Sequence, residues 1–245
     1  LLVLDESDRM LDMGFLPDLQ RIINLLPAQR QTLLFSATFS PEIKKLAASY
    51  LRDPVLVEVA RQNATNDNVT QTLYAVPNAD AKRAAIVHLL EARVRAGLSK
   101  QVIIFSNSKI GASKLSAQLV RDGINAGAIH GDKSQSERMQ TLDAFKNGTL
   151  DALVATDVAA RGLDIPDMPC VINADLPFNA EDYVHRIGRT GRAGAKGDAL
   201  SLFVPGDERL LTEIEKLIKK PLPRATIEGF DPDRRGRRSD RGDRG

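Results

Sequence analysis

The sequence lacks several features that would assign it to a specialised class of protein. It contains one cysteine, Cys170, and no tryptophan, and only 4% of its residues are aromatic. A single thiol cannot form an intramolecular disulfide, which excludes the disulfide-rich secreted domains. No apolar run approaches the roughly 18 residues that would span a membrane as a helix. These absences predict a cytoplasmic protein with no membrane partner.

Two nucleotide-binding signatures are also missing. No Gly-Lys dipeptide occurs in the 245 residues, so the chain has no phosphate-binding loop of the G-x-x-x-x-G-K-[ST] kind. The segment G-R-T-G at residues 188–191 has the wrong spacing for the G-x-G-x-x-G loop. A dehydrogenase with a dinucleotide-binding fold is therefore excluded.

Charge of either sign is nearly balanced, with 34 Lys+Arg against 32 Asp+Glu. Residues 224–245 hold seven Arg against five acidic residues, so the whole excess of +2 lies in this segment. Residues 231–245 have no apolar side chain except a proline, which predicts disorder. Arg/Gly-rich composition suits loose contact with phosphates and base faces, and a merely solubilising tail is the alternative.

What the sequence does contain is a regular alternation of apolar runs of strand length with stretches of helical period. This alternation predicts an α/β fold with parallel sheets covered by helices on both faces. Residues 61–70 are polar and Asn-rich and are predicted to be a linker. Residues 1–60 supply three strands, the last at 54–57, which is too few for an independent domain. Residues 71–223 supply six strands and are predicted to form a complete domain, followed by the tail at 224–245.

The first motif follows an apolar run at residues 1–4 and reads D-E-S-D at residues 5–8. Carboxylates at the carboxyl end of a buried parallel strand can hold hydrated Mg²⁺ on a nucleotide phosphate and orient a water molecule. A helix N-terminal cap is the alternative. Ser36 and Thr38 follow the next strand and could bond Asp8, or could cap the helix that begins at Pro41. Because the chain starts within a strand, we expect it to be a fragment.

The most specific stretch is H-R-I-G-R-T-G-R-A-G at residues 185–194. Its glycines allow the backbone to approach a phosphate, and its arginines can act as arginine fingers on transition-state charge. A solvated basic loop is the alternative. Thr156 stands where a helix N-terminus could accept a phosphate, and Asp164 could bind ribose hydroxyls or be a turn residue. Gln135 and Arg138 lie three apart at a helix start and so share one face.

Six segments together resemble the DEAD-box RNA helicases from their second motif to their sixth. They are D-E-S-D (5–8), S-A-T (36–38), I-I-F-S-N-S (103–108), H-G-D-K-S-Q-S-E-R (130–138), A-T-D-V-A-A-R-G-L-D (155–164) and H-R-I-G-R-T-G-R (185–192). The resemblance extends to about residue 223 with order and spacing intact, and it is strongest to the bacterial RhlE-type subgroup. Asp8 and His185 favour DEAD-box over DEAH proteins. Ser7 departs from the family's usual Ala.

The resemblance implies a role for each matching residue at the nucleotide. Asp5 would order Mg²⁺ through water, and Glu6 would position or activate the attacking water. Arg189 and Arg192 would be arginine fingers. Asp164 would bind the ATP ribose.

The resemblance also implies coupling and RNA-binding residues. The link between the ATP state and strand separation would comprise Asp8, Ser36 and Thr38, joined by His185 from the second domain. Positions that would hold the RNA backbone, mostly through phosphate and 2′-OH, are Asn107, Gly131, Gln135, Arg138, Thr156 and Gly162.

The implied protein has two RecA-like domains that close on ATP, bend one RNA strand and separate a short duplex locally. Its cofactors would be ATP and Mg²⁺, and its partner would be RNA bound without sequence preference. Because the phosphate-binding loop is missing, we expect the isolated chain not to hydrolyse ATP. The alternative is a non-hydrolysing RNA-binding RecA-like module. Protein partners such as ribosome-assembly or RNA-decay factors are compatible with the resemblance, and the sequence selects none.

Overall fold

The computed structural model describes residues 1–36, 40–57, 68–163, 165, 167–192 and 194–231. The chain divides into two compact units, Leu1–Ala64 and Thr65–Gly245, here called unit 1 and unit 2. No helix among the described residues is long and apolar enough to cross a membrane.

Unit 1 contains two short parallel strands and three helices. Strand β1 (Leu2–Leu4) pairs with β2 (Thr32–Leu34). The helices are α1 (Ser7–Asp12), α2 (Leu16–Asn24) and α3 (Pro41–Tyr50). One apolar cluster joins β1 to α2 and α3, and its buried members are Leu4, Leu19, Ile23, Ile43, Leu46 and Tyr50. This packing brings the carboxyl ends of β1 and β2 to the same edge of unit 1.

Unit 2 is a seven-stranded parallel sheet. Its strands are β3 (Val69–Ala75), β4 (Val102–Phe105), β5 (Ala126–Ile129), β6 (Ala152–Ala155), β7 (Cys170–Asn173), β8 (Gly197–Phe203) and β9 (Arg224–Ala225). They lie in the order β5-β6-β4-β7-β8-β3-β9. Its helices are α4 (Ala79–Arg95), α5 (Lys109–Arg121), α6 (Gln135–Lys146), α7 (Asp157–Ala160), α8 (Ala180–Ile187) and α9 (Glu208–Ile218). A 3₁₀ turn at Pro205–Asp207 precedes α9.

Strand β4 shows why the central strands read as continuous apolar runs. Val102 and Ile104 pack into the cluster that includes α4 and α5, whereas Ile103 and Phe105 pack into the cluster that includes α6. Successive side chains of a strand point to opposite faces, so a sheet covered on both faces needs apolar residues at every position. The predicted α/β fold with a parallel sheet flanked by helices is confirmed.

The strand predicted at residues 54–57 is wrong. These residues are irregular, and the side chains of Val55, Leu56 and Val57 are 88%, 65% and 74% exposed. Apolar, β-branched composition favours a strand, but a strand forms only beside a hydrogen-bonding neighbour. No strand among the described residues of unit 1 pairs with this segment.

The segment boundaries of unit 2 also differ from those predicted. Strand β3 begins at Val69, within the predicted linker. At the other end, Arg224 and Ala225 pair with β3 inside the predicted tail. The Glu228 carbonyl oxygen accepts a hydrogen bond from His88 Nε2 at 2.7 Å, and the ring of Phe230 meets His88 edge to face. A few apolar residues anchor a segment whose average composition is that of a tail.

Candidate functional site

The turn after β1 carries the first two predicted site residues. Asp5 and Glu6 are both exposed, and the Glu6 amide donates to Asp5 Oδ1 at 2.9 Å. Glu6 has φ 50° and ψ 46°, a left-handed conformation that costs a non-glycine residue roughly 1–2 kcal/mol. Strain of this kind is concentrated at functional sites, where the surrounding structure holds it in place.

Ser7 fastens this turn to the neighbouring strand. Its side chain is fully buried, its amide donates to the Phe35 carbonyl oxygen at 3.0 Å, and its hydroxyl donates to the Leu4 carbonyl oxygen at 3.3 Å. The hydroxyl at this position therefore bonds the strand backbone and does not face a ligand. The bond to Phe35 holds the turn beside Ser36, which is half-buried.

Asp8 lies in the first turn of α1, where a carboxylate is favoured by the helix dipole. It is 8% exposed, and its Oδ1 accepts a hydrogen bond from the Arg9 amide at 3.1 Å. Asp8 and Ser36 thus follow neighbouring parallel strands, as predicted, whereas Thr38 lies outside the described residues. The helix-cap alternative is not supported, because Glu6 at the N-cap of α1 makes no side-chain hydrogen bond to the helix.

The described residues contain no group of three or more His, Cys, Asp or Glu side chains that could hold a metal ion. Mg²⁺ does not require such a group, because it usually keeps several waters and takes one or two carboxylates plus the oxygens of a bound phosphate. Asp5, exposed at a strand end, fits that donor set.

In unit 2, buried Arg186 on α8 joins the ends of three strands. Its Nε and Nη2 donate to the two carboxylate oxygens of Asp157 at 2.6 and 2.7 Å. Nη1 donates to Asn173 Oδ1 at 3.3 Å and to the Asp175 carbonyl oxygen at 2.6 Å, and Nη2 also donates to Asn107 Oδ1 at 2.8 Å. All five N–H groups of the guanidinium therefore have an acceptor, which is what a charge that is only 1% exposed requires.

Asn107, predicted to hold RNA, directs its side-chain amide into the protein. Its Oδ1 accepts from Arg186, and its Nδ2 donates to the Leu176 carbonyl oxygen at 2.8 Å. Its backbone amide donates to Asp175 Oδ2 at 3.2 Å. The side chain of Asn107 thus connects the end of β4 to α8 and to the end of β7.

A second ion pair, between Lys82 and Asp175, stabilises the same strand ends. Burial by itself would raise the pKa of Asp175, but the Lys82 ammonium at 3.0 Å and hydrogen bonds from the Asn107 amide and the Ser106 hydroxyl hold it below its usual range. Asp175 therefore stays ionised at neutral pH. Lys82 lies on α4, so this contact joins α4 to the ends of β4 and β7.

The loop after β5 approaches the start of α5 closely. A Cβ atom at Gly131 would lie 3.3 Å from Cε of Lys109, whose ammonium pairs with Asp132 at 2.6 Å. The end of the flexible Lys109 side chain can move by a few tenths of an ångström, so this approach does not by itself require glycine at residue 131. His130 is buried, with Nε2 at 2.7 Å from the Ser113 hydroxyl.

The start of α6 contacts α7, the short helix that follows β6, through Arg138. Arg138 Nη1 donates to Gln135 Oε1 and its Nη2 donates to the Ala159 carbonyl oxygen, both at 3.3 Å. Thr156 is 8% exposed, and its amide donates to the Ile129 carbonyl oxygen at 3.3 Å. Gln135, Arg138 and Thr156 therefore lie around the ends of β5 and β6, with Gln135 exposed.

The segment after α7 contains Gly162 at φ +66°, where a side chain would be strained. Gly162 is exposed, and Asp164 lies outside the described residues. His185 is half-buried on α8, one residue before Arg186. Its predicted contact with unit 1 stays a prediction.

The two predicted arginine fingers lie on the loop after α8. The Arg189 carbonyl oxygen accepts from the Met168 amide at 2.9 Å, and Arg189 is half-buried. Arg192 is exposed, its Nε donates to the Gly188 carbonyl oxygen at 2.6 Å, and its amide donates to Asp167 Oδ1 at 3.1 Å. The backbone of this loop is thus bonded to the segment that precedes β7.

Sequence reasoning assigned no role to Arg186, Asp157 or Asp175. One signal was available for Arg186, which lies three residues after Tyr183 and one before Ile187, on a face of α8 that is buried. A buried arginine needs hydrogen-bond acceptors. Asp157 and Asp175, which follow the predicted strands at 152–155 and 171–173, are acidic residues that could supply them.

Two family models match the chain. Residues 1–46 match the model described as DEAD/DEAH box helicase, and residues 81–194 match the helicase conserved C-terminal domain. The RNA helicase RhlB of Pseudomonas syringae pv. tomato is 44% identical over 223 residues, which cover 90% of this chain and 55% of that protein. RhpA of Helicobacter pylori is 44% identical over 216 residues, 88% of this chain and 43% of that protein. The chain spans about half the length of the curated relatives it matches.

Solved structures agree with these matches. Escherichia coli SrmB, a DEAD-box protein solved with RraA, is 36% identical with a TM-score of 0.60, covering 64% of this chain and 90% of that one. Saccharomyces cerevisiae Dbp5, solved with RNA and ADP BeF3, is 31% identical with a TM-score of 0.82, covering 97% of this chain and 61% of that one. The fold is that of the RecA-like helicases. The chain belongs to the DEAD-box RNA helicase family, and the RhlE-type subgroup stays a prediction.

Proposed function

We propose that this chain works as part of an ATP-dependent RNA helicase that separates short duplexes locally. The observation that carries the proposal is the bonding of Arg186, which ties the strand ends near the predicted RNA residues to the helix that leads into Arg189. A displacement of α8 would therefore act directly on Asn107 and Asp157.

In this proposal, Asp5 holds Mg²⁺ through water and Glu6 orients the attacking water. Mg²⁺ bound with the nucleotide would neutralise the charge that develops on the phosphate oxygens. Arg189 and Arg192 place their guanidinium groups on the same charge, and Asp164 accepts hydrogen bonds from the ribose. Asp8, Ser36, Thr38 and His185 would couple the ATP state to strand separation.

RNA would lie along the carboxyl edge of the unit 2 sheet. Gly131 and Gly162 let the backbone approach the phosphates, whereas Gln135, Arg138 and Thr156 supply donors around the ends of β5 and β6. Asn107 would act here mainly as a positioning residue. We also propose that the protein is cytoplasmic; ribosome-assembly and RNA-decay factors are compatible protein partners, and the structure selects none.

A chimaera tests the proposal. Residues 1–231 of this chain replace the corresponding segment of Pseudomonas syringae RhlB. RNA-stimulated phosphate release and unwinding of a short duplex are then measured. We expect activity in the chimaera and a loss of about 10³-fold or more in turnover for Arg189→Ala, because an arginine finger stabilises transition-state charge. Arg209→Ala, on the exposed face of α9, is the matched control and should leave turnover unchanged. A chimaera that folds and binds RNA but is inactive would overturn the proposal, as would equal turnover of the Arg189 and Arg209 variants.

The second candidate function, an RNA-binding RecA-like module without hydrolysis, is favoured by the absence of any Gly-Lys dipeptide. It applies to the chain by itself. We expect the purified 245-residue chain to bind single-stranded RNA and to release no phosphate from ATP above background with Mg²⁺ present. Turnover near that of an intact helicase would contradict this expectation.

A further inference from the structure

Three large apolar side chains are exposed at the carboxyl edge of the unit 2 sheet. Val158 follows β6, Ile110 follows β4 and Phe178 follows β7, and these strands are neighbours in the order β6-β4-β7. Their exposed fractions are 58%, 81% and 75%. We call these three residues the apolar row. It lies at the same edge as the proposed RNA contacts.

The segment that leads into α5 and Ile110 is hydrogen-bonded to the turn that carries Phe178. Asn107, three residues before Ile110, donates its side-chain amide to the carbonyl oxygen of Leu176, two residues before Phe178. Leu176 is 1% exposed, and Asn179 caps α8 by accepting from the Glu181 amide at 3.0 Å. Phe178 is therefore presented on a turn that is fixed on both sides, which lowers the entropic cost of binding through its ring.

Phe178 is the aromatic residue that unit 2 leaves most open to solvent among its described residues. The others are buried or half-buried, and they are Tyr74, Phe105, Phe145, Tyr183, Phe203 and Phe230. A single exposed apolar side chain is ordinary on a protein surface. The position of Phe178 carries the inference, because it continues the line of proposed RNA contacts along neighbouring strand ends.

We propose that Phe178 is a stacking platform for one nucleobase of the bound RNA strand, with Ile110 and Val158 contacting adjacent base or ribose faces. This inference rests on the proposed function. It deepens that function by adding a contact with a base to a surface that is otherwise proposed to contact only the RNA backbone. The Lys109 ammonium, 55% exposed beside Ile110 and paired with exposed Asp132 at 2.6 Å, could exchange this partner for the phosphate of such a nucleotide. Three side chains fall far short of the roughly 1,000 Å² that a specific protein interface buries, whereas one ring matches one base.

The chain has no tryptophan, which allows a direct optical test. Phe178→Trp places a single indole at the proposed platform, and Val120→Trp places one at the other end of α5, where Val120 is 54% exposed. Each variant of the full chain is titrated with single-stranded polyuridine RNA, while anisotropy of a labelled strand reports binding independently. We expect RNA to quench the fluorescence of Phe178→Trp, with the same midpoint concentration as the anisotropy curve. RNA should not quench the fluorescence of Val120→Trp. Inorganic polyphosphate, which has no bases, should not quench either variant.

Affinity measurements separate stacking from apolar contact. Phe178→Leu keeps an apolar side chain but loses the ring, and we expect it to weaken RNA binding roughly fivefold or more. Phe178→Tyr keeps the ring and should bind within about twofold of the parent chain. Because residue 178 is exposed, all variants should keep the parent melting temperature.

The outcomes distinguish this inference from the proposed function. RNA binding by anisotropy without quenching at residue 178, or equal affinities of the Leu and Tyr variants, would overturn the stacking role and leave the helicase proposal intact. Absence of RNA binding in every variant would overturn both. Self-association that is abolished by Phe178→Leu while RNA affinity is unchanged would assign the apolar row to a protein interface and would also overturn the inference.

Discussion

At the scale of single residues, the buried Arg186 connects three strand ends through five hydrogen bonds. Its guanidinium satisfies the Asp157 carboxylate and three further acceptors at the ends of β4 and β7. A buried charge of this kind is stable only while its partners remain, and those partners in turn become costly if the charge is removed. The ring of Phe105 lies 5.1 Å beneath it and adds a cation–π contact.

Arg186→Met should lower the free energy of unfolding by about 3–5 kcal/mol, because it leaves the Asp157 carboxylate without its partner in a poorly hydrated site. Arg186→Lys should recover part of the loss, since an ammonium has three donors and no planar fork. Urea denaturation followed by circular dichroism measures both.

The matched control for Arg186 is Arg209→Met on α9. Arg209 is 89% exposed and pairs only with Glu213 one turn away, so the expected change is within about 0.5 kcal/mol. Similar unfolding midpoints for the Arg186 and Arg209 variants would show that the buried network does not stabilise unit 2.

At the scale of elements, helix α6 begins with a reciprocal capping box. The Ser134 side chain accepts from the Glu137 amide, and the Glu137 carboxylate accepts from the Ser134 amide at 2.9 Å. Hydrogen bonds from the Ser134 amide and hydroxyl, with Lys133 nearby, lower the pKa of Glu137 to about 2. This cap holds the first turn of α6, where Gln135 and Arg138 lie.

Because the pKa of Glu137 is lower in the folded chain than its ordinary 4.5, its stabilising effect is complete above pH 4.5 and is lost as the pH falls towards 2. We expect amide-exchange protection at the start of α6 to fall over this window. Glu137→Gln keeps the hydrogen-bond acceptor and should make protection independent of pH there. An NMR titration that places the Glu137 carboxyl near 4.5 would contradict the prediction.

Strand β9 and the residues that follow it close one edge of the sheet. Ile227 and Phe230 pack on the cluster under α4, and Leu73 pairs with Arg224. Truncation after Pro223 should expose this edge and cost about 2–4 kcal/mol, on the basis of the apolar side chains returned to water. An open edge also favours self-association.

Truncation after Asp231 is the control for that experiment, because it keeps β9, the bond to His88 and the ring of Phe230. Thermal unfolding and sedimentation velocity measure stability and association in the two truncated chains. Identical melting temperatures and a monomer in both cases would show that β9 makes no contribution to the fold of unit 2.

At the scale of the whole molecule, the two units differ in how much sheet supports their strands. Strand β1 has three residues and pairs with β2, and Val3 is 49% exposed. Strand β4 pairs on both sides, and its side chains are at most 2% exposed. Isolated two-stranded sheets are marginally stable in water.

We therefore expect the β1 amides to exchange with solvent far faster than those of β4, through local opening of unit 1 that leaves unit 2 folded. Hydrogen exchange measured by mass spectrometry at residues 1–4 and 102–105 tests this. Equal protection of the two segments would mean that unit 1 is stabilised by contacts beyond its own described core.

Much of the architecture follows from local pattern. Continuous apolar runs in alternation with helical periods were sufficient to predict a parallel α/β sheet, because a strand buried on both faces tolerates few polar residues. Polar residues at the strand ends predict a site at the carboxyl edge of the sheet, because parallel strands all end at one edge, and the role of these residues stays a prediction. The ordered motifs then identified the family that the comparisons confirm.

Only the tertiary structure shows which strands and which side chains pair with each other. Residues 54–57 have the composition of a strand but pair with no strand among the described residues. Arg224 and Ala225 lie in a segment with the composition of a tail, yet they pair with the edge of β3. The family resemblance predicts that Asn107 binds RNA, but only the packed structure shows that its side-chain amide is bonded to Arg186 and Leu176. The physical reason is the same in each case. A hydrogen bond between residues that are distant in sequence forms only when folding brings the two partners together. The local composition around one residue does not identify its partner.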